Sequence, residues 1–107
     1  MTKDEFYQSL ESLDPAIWKI ETSCIGTGLK RIPSWLRLAH GDKKFCPITA
    51  VYYSLTGAEH SNSWATEVGK RMGLDGYEVK AIIAAADNQG YREERLQLEK
   101  AVLHLMR

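Results

Sequence analysis

The chain is poor in cysteine and proline and has no long apolar segment. Two cysteines and three prolines occur in 107 residues. Two cysteines cannot build the disulfide framework of a small secreted domain, so we expect Cys24 and Cys46 to be free thiols in a reduced, cytoplasmic setting. No apolar run approaches the roughly 20 residues that span a bilayer, and the first residues lack the apolar core of a signal peptide. The sequence therefore predicts a protein without a membrane partner.

Net charge is also absent, because 14 basic and 14 acidic side chains cancel. This balance excludes the whole-domain basicity that is typical of a DNA-coating protein. The charges are nevertheless unevenly distributed. Residues 25–45 contain one acidic residue, Asp42, and five basic residues, which are Lys30, Arg31, Arg37, Lys43 and Lys44. A local positive segment of this kind can attract an anionic partner.

What is present is the composition of an ordinary globular domain, with 44% hydrophobic and 26% charged residues. We therefore treat residues 1–107 as one domain. Apolar and polar residues alternate from Trp18 to Cys24 and again around Leu36 and Leu38, which predicts strands. A tight turn at 40–43 would return the chain through Phe45. Together these patterns predict a small antiparallel hairpin or sheet over residues 17–46.

About five helices surround this sheet in the predicted fold, which is α+β and mostly helical. Thr2 and Glu5 form a capping-box pattern before a short N-terminal helix. A second helix follows Pro47 and ends at Gly57, because proline suits the first helical position and glycine suits the C-terminal cap. Apolar periodicity predicts three more helices, which lie before Gly73, after Asp75 and after Gly90.

The basic segment is the best candidate for contact with a partner. Gly26-Thr27-Gly28 could free backbone N–H groups for a phosphate, arginine can grip an anion, and an indole can stack on a base. The spacing is not a Walker or dinucleotide motif, and a solvated hairpin face would also explain the charges. The candidate binding residues are Lys30, Arg31, Trp35, Arg37, Lys43 and Lys44. They would engage an acidic protein surface or a nucleotide-like ligand.

Cys46 is the candidate for nucleophilic chemistry, since it precedes the helix that Pro47 starts. A helix N-terminus and a histidine can together activate a thiol. His40 could approach Cys46 across the hairpin, and His60 follows the same helix. Packing of Cys46 as a small apolar side chain is the favoured interpretation, with catalysis and redox sensing as alternatives. We do not expect an enzyme.

No metal site or cofactor is expected. The possible ligands include Cys24, Cys46 and the three histidines, but none of them form the closely spaced pairs that zinc sites use. A disulfide between Cys24 and Cys46 would be possible on paired strands, although a reducing compartment disfavours it.

Residues 64–86 resemble a DNA-binding helix-turn-helix over about 20 residues. Gly69, Gly73, Val79 and Ile82 occupy the small, turn and apolar positions of that motif. The second helix, however, offers only Tyr77 and Lys80 to base edges and has no Arg, Asn or Gln. The pattern therefore favours a helix hairpin used as a scaffold and argues against sequence-specific DNA recognition.

The last helix carries Leu98, Val102 and Leu105 on one face, and Leu96 and Leu103 widen this stripe. Such a helix is either deeply packed or part of a homo-oligomer interface. Its charged residues are expected to form a solvated face, on which Arg95 and Glu99 are spaced for an ion pair. These charged residues are Arg92, Glu93, Glu94, Arg95, Glu99 and Lys100.

The segments 45–51 (FCPITAV) and 82–87 (IIAAAD), with the glycine-rich turn, resemble small phage and mobile-element proteins. The resemblance covers about half of the chain. It implies no established activity and no site residues. It does imply a compact protein that acts by binding, for example as an inhibitor of a host defence system. We therefore expect a small non-enzymatic binding protein, with a helix-turn-helix regulator and a Cys46 enzyme as alternatives.

Overall fold

The chain begins with a helix that a capping box holds at its N-terminus. The structure is a computed structural model that describes residues 1–20, 36–57 and 65–105. Helix α1 spans Lys3–Glu11. The amide of Glu5 donates to the Thr2 hydroxyl at 3.2 Å, and the amide of Thr2 donates to the Glu5 carboxylate at 2.7 Å. This reciprocal pair confirms the predicted start of the helix.

Three short antiparallel strands follow, and the sheet order is β1-β2-β3. Strand β1 is Trp18–Ile20, β2 is Leu38–His40 and β3 is Lys43–Phe45. Ile20, Leu38 and Phe45 are aligned across the sheet on the face that packs on the core. The antiparallel sheet predicted within residues 17–46 is thus confirmed. The predicted continuation of the first strand to Cys24 lies outside the described residues.

Within the described residues, four further helices complete the predominantly helical α+β fold. They are α2 (Pro47–Thr56), α3 (Ala65–Arg71), α4 (Gly76–Ala86) and α5 (Arg92–Val102), and a 3-10 turn at Leu103–Leu105 extends α5. Gly57 ends α2 in a left-handed conformation with φ 70°, as its position predicts. Asp75 and Glu78 form a second capping box at the start of α4.

The core lies where the helices meet each other and the inner face of the sheet. Helix α4 packs against α2, α3 and α5, while α1 packs against α2 and α5. Every helix and strand β2 contribute to the largest fully buried side chains, which are Phe6, Leu10, Leu36, Leu38, Ile48, Val51, Val68, Val79, Ile82, Leu98, Val102 and Leu105. This shared core makes the sheet and the helices one packing unit.

The predicted solvated face of α5 is wrong for two residues. Arg95 is only 5% exposed, and its Nη1 donates to the carbonyls of Ala85 and Ala86 at 3.1 and 2.9 Å. The last carbonyls of a helix lack intrahelical donors, so the guanidinium is held at the end of α4. The predicted ion pair with Glu99 is present at 2.7 Å. Glu94 is the second inward residue, as it accepts a hydrogen bond from buried Tyr7.

The outer side of α5 retains large apolar side chains. Leu98, Val102 and Leu105 are buried, whereas Leu96 and Leu103 are 56% and 61% exposed. The helix is therefore packed on one face and not all round, and a homo-oligomer interface through the exposed face stays a prediction. In the part of the chain that the structure describes, no helix has both the length and the apolar character needed to cross a membrane.

Candidate functional site

The predicted binding residues that the structure describes, Arg37, Lys43 and Lys44, do not gather at one place. Lys30, Arg31 and Trp35 lie outside the described residues. Of the remainder, Arg37 lies just before β2, whereas Lys43 and Lys44 are adjacent on β3. Successive residues of a strand face opposite sides of a sheet, so the two lysines belong to different surfaces.

Lys44 lies on the outer face of the sheet, in a cross-strand row that also contains Ala39 and Lys19. The register pairs Lys19 with Ala39 and Ala39 with Lys44. Both lysines are exposed and the alanine between them is half-buried. Neighbouring strands are about 4.8 Å apart, so the lysine backbones are about 10 Å apart across a small flat floor. We name this row the basic sheet face.

Lys19 was missed as a site residue because it lies outside the basic segment of the sequence. Its Nζ donates to the Pro15 carbonyl at 2.8 Å, which positions the ammonium beside the sheet. The three strands contain three lysines and no acidic residue. Strand alternation could have placed Lys19 on an outer face, but only the register shows that Lys44 shares this row.

Arg37 joins the sheet to the end of α4. Its Nη1 lies 3.2 Å from Oδ1 of Asp87 and 3.1 Å from the Leu36 carbonyl. The adjacent amide of Leu36 donates to the Ala86 carbonyl at 2.6 Å. Arg37 thus has a clear structural role in docking β2 onto α4, and part of its charge is balanced by Asp87.

Lys43 lies opposite His40 near the hairpin turn, on the side of the sheet that carries an aromatic cluster. The His40 ring lies 4.9 Å from the Trp18 ring and 5.0 Å from the Tyr53 ring, measured between centroids. Phe45 completes the cluster through contacts with Trp18 and Tyr53. These contacts account for the position of His40 between the sheet and α2.

The hairpin register does not bring His40 to Cys46. His40 is opposite Lys43, and Cys46 lies three residues beyond Lys43, which is about 10 Å of strand. Cys46 is half-buried at the N-terminal cap of α2, with its Sγ 3.4 Å from Oγ1 of Thr49. The other proposed partner, His60, lies outside the described residues, so nucleophilic catalysis stays an untested prediction.

Cys46 borders a small cavity of about 140 Å³ between α2 and α4. Pro47, Ile48 and Ile82 supply apolar walls, and the ion-paired Arg37 and Asp87 are also part of the lining. Such surroundings agree with packing of the thiol. No cluster of three or more potential metal-binding side chains occurs within residues 1–20, 36–57 and 65–105.

Helices α3 and α4 pack closely at Gly69, one of the positions that carries the resemblance to a helix-turn-helix. A Cβ placed on Gly69 would lie 2.5 Å from Cγ2 of Val79, and Gly73 in the turn has φ +88°. The outer surface is poorly suited to base recognition, however. Tyr77 and Lys80 are the exposed residues of α4 that could reach base edges. The neighbouring polar residues already have structural roles, because Asp75 and Glu78 form the capping box of α4 and Asp87 pairs with Arg37.

The outer face of the sheet is therefore the strongest candidate for binding among the predicted elements. It carries two exposed lysines on either side of a small residue, and their charges can attract carboxylates or phosphates. Family models, curated proteins and solved structures give no match for this chain.

Proposed function

We propose that this protein is a small non-enzymatic binding protein whose basic sheet face engages an anionic partner. The observation that carries the proposal is the row Lys19–Ala39–Lys44. Inhibition of a host defence system is the biological role that the resemblance to phage proteins implies.

The proposed partner is an acidic protein surface rather than a small nucleotide. The two lysines lie on the face of a sheet and line none of the described pockets, whereas sites for small ligands are concave. A flat face can meet the carboxylates of an acidic helix or strand, and exposed charges raise the rate of association. Lys30 and Arg31 belong to the same basic segment of the sequence, but they lie outside the described residues.

The test is binding of a fluorescein-labelled poly-Glu peptide, measured by fluorescence anisotropy at low salt. We expect Lys19→Glu/Lys44→Glu to weaken binding by about tenfold or more, because like charges then face the peptide. Binding by the unmodified protein should also fall at about 0.5 M NaCl, where exposed charges are screened. Circular dichroism would verify that the variant folds.

Arg92→Glu/Lys100→Glu is the matched control, because it makes the same change of charge at exposed positions of α5. We expect this control to bind poly-Glu as the unmodified protein does, apart from the small effect of net charge. Equal losses in both variants would mean that net charge alone governs binding and would contradict a defined surface. Unchanged binding by the sheet variant would contradict the proposal directly.

A helix-turn-helix regulator is the second candidate, favoured by the close approach of Gly69 to Val79 and by the conformation of Gly73. It predicts that the unmodified protein binds a labelled DNA duplex of mixed sequence at low salt and that Tyr77→Ala/Lys80→Glu loses this binding. In the same assay, Lys19→Glu/Lys44→Glu should then have little effect on DNA binding. Absence of duplex binding at low salt would remove this candidate.

A further inference from the structure

A groove of about 860 Å³ opens on a different side of the molecule, between α1, the segment before β1 and the C-terminal end of α2. This volume lies within the range of sites that bind ligands or side chains of a partner. Gln8 and Ser9 of α1 and Ser12 at its C-terminal cap line one wall. Ser54, Leu55 and Gly57 line the opposite wall.

The floor of the groove is aromatic and held by ring contacts. Trp18, His40 and Tyr53 all line the groove. The Trp18 ring lies 4.9 Å from the His40 ring and 6.0 Å from the Tyr53 ring. Because each ring touches the other two, the floor is preorganised and a bound segment would not have to order it.

Exposed apolar side chains flank this floor. Ile17 is 48% exposed and Leu55 is 57% exposed, and both line the groove. Leu13 adds a buried apolar contact below them. Large apolar side chains that remain exposed around a concave surface are typical of a site that a partner covers.

The charged side chains of the described groove lining are acidic, while the α-ammonium of Met1, which also borders the groove, donates to the Met72 carbonyl at 2.6 Å. Glu5 and Asp14 belong to the lining, and the described lining contains no lysine or arginine. Each carboxylate is held by a backbone amide through one oxygen: Thr2 donates to Oε1 of Glu5, and Ala16 donates to Oδ1 of Asp14 at 2.9 Å. The second oxygen of each carboxylate can accept a hydrogen bond from a cationic group.

We propose that this groove binds a basic amphipathic segment of a partner protein. The apolar side chains of the segment would contact Ile17, Leu55 and the aromatic floor, and its lysines or arginines would pair with Glu5 and Asp14. Charge complementarity selects this occupant, because an acidic segment would place like charges together. The groove is separate from the basic sheet face, so this inference does not depend on the function proposed above.

The test uses three fluorescein-labelled model peptides and the full-length chain. One is an amphipathic Leu/Lys helix, the second has Glu in place of every Lys, and the third has the Leu/Lys composition in scrambled order. We expect the Leu/Lys helix to bind at least about tenfold more tightly than either of the others, as measured by anisotropy. Equal binding of the acidic helix would overturn the proposal.

Two groove variants separate the apolar and the ionic contributions. Ile17→Ser/Leu55→Ser should weaken binding of the Leu/Lys helix by about tenfold or more. Glu5→Gln/Asp14→Asn keeps both acceptor oxygens for the backbone but removes both charges. It should weaken binding several-fold at low salt, and this effect should disappear at about 0.5 M NaCl.

The matched controls make equivalent changes elsewhere on the surface. Leu96→Ser/Leu103→Ser removes two exposed leucines of the α5 region, and Glu67→Gln/Glu93→Gln removes two exposed carboxylates. Both controls should bind the Leu/Lys helix normally, and losses equal to those of the groove variants would overturn the proposal. If light scattering shows a dimer that Ile17→Ser/Leu55→Ser dissociates, a second copy occupies the groove and the proposal is wrong.

Discussion

Tyr7, Glu94 and Lys3 form a polar contact between the first and the last helix. Tyr7 is 7% exposed, and its hydroxyl donates to Glu94, while Nζ of Lys3 lies 3.5 Å from the same carboxylate. Burial raises the pKa of Tyr7 above its ordinary value, and the hydrogen bond and negative charge of Glu94 raise it further. The neutral phenol is therefore the form that the folded state requires.

Tyr7→Phe should lower the free energy of unfolding by about 1–3 kcal/mol at pH 7, the usual loss for a hydrogen bond to a charged group. An unfolded tyrosine ionises near pH 10, whereas folded Tyr7 keeps its proton at higher pH. The contribution of the Tyr7 hydroxyl to the free energy of unfolding is thus complete below pH 10. Above pH 10, it falls by up to about 1.4 kcal/mol per pH unit as the unfolded state loses the proton.

The measurement is urea denaturation of both proteins at several pH values from 7 to about 11. The difference in stability between the unmodified protein and Tyr7→Phe should shrink as pH rises beyond about 10. Tyr77→Phe is the control, because Tyr77 is 69% exposed. A difference for Tyr7→Phe that stays constant over this range would contradict the pKa argument.

Residues that interact with near neighbours could be predicted from the sequence, whereas distant pairs could not. The capping boxes Thr2/Glu5 and Asp75/Glu78 depend on a spacing of three residues, and the structure contains both. The partners Tyr7 and Glu94 are 87 positions apart. No local spacing encodes such a contact, so Glu94 was wrongly assigned to a solvated face.

At the scale of elements, the packing of α3 on α4 depends on the absence of a Cβ atom at Gly69. Val79 is fully buried and β-branched, so it has little freedom to move away from an added methyl group. Alanine is a better helix former than glycine by about 1 kcal/mol. The steric cost of overpacking a core is about 1–3 kcal/mol and outweighs this gain.

Gly69→Ala should therefore destabilise the protein by up to about 2 kcal/mol, as measured by urea denaturation. In a Val79→Ala background the clash is removed, and the same change should become neutral or stabilising by up to about 1 kcal/mol. Gly76→Ala is the control within α4, because a Cβ there meets nothing within 4 Å. A Gly69→Ala effect that is equal in both backgrounds would contradict close packing of the two helices.

The sequence also predicts the elements better than their pairing. Pro47, Gly57 and the alternation around Leu38 predict where helix and strands begin and end, because these signals act within a few residues. The basic sheet face needs Lys19 and Lys44 in one row, and this row depends on the pairing of β1 with β2. A shift of one residue would place Lys19 on the opposite face, so the site could not be predicted without the register.

At the scale of the whole molecule, a net charge of 0 conceals two separated charged surfaces. The basic sheet face carries Lys19 and Lys44, while Glu5 and Asp14 lie in the groove beside α1. The two proposals together predict that a neutral protein holds an anionic and a cationic partner at once. The function proposed for the sheet and the inference for the groove then describe two independent sites on one small scaffold.

Independence of the two surfaces is tested with neutral substitutions, which avoid long-range changes from charge reversal. Lys19→Gln/Lys44→Gln should weaken poly-Glu binding and leave binding of the Leu/Lys helix unchanged. Ile17→Ser/Leu55→Ser should weaken binding of the Leu/Lys helix and leave poly-Glu binding unchanged. Each peptide is titrated separately by anisotropy, because the two peptides would bind each other.

In the combined variant the changes in binding free energy should add within about 0.5 kcal/mol. Loss of both activities in either single-surface variant that remains folded would contradict two independent sites.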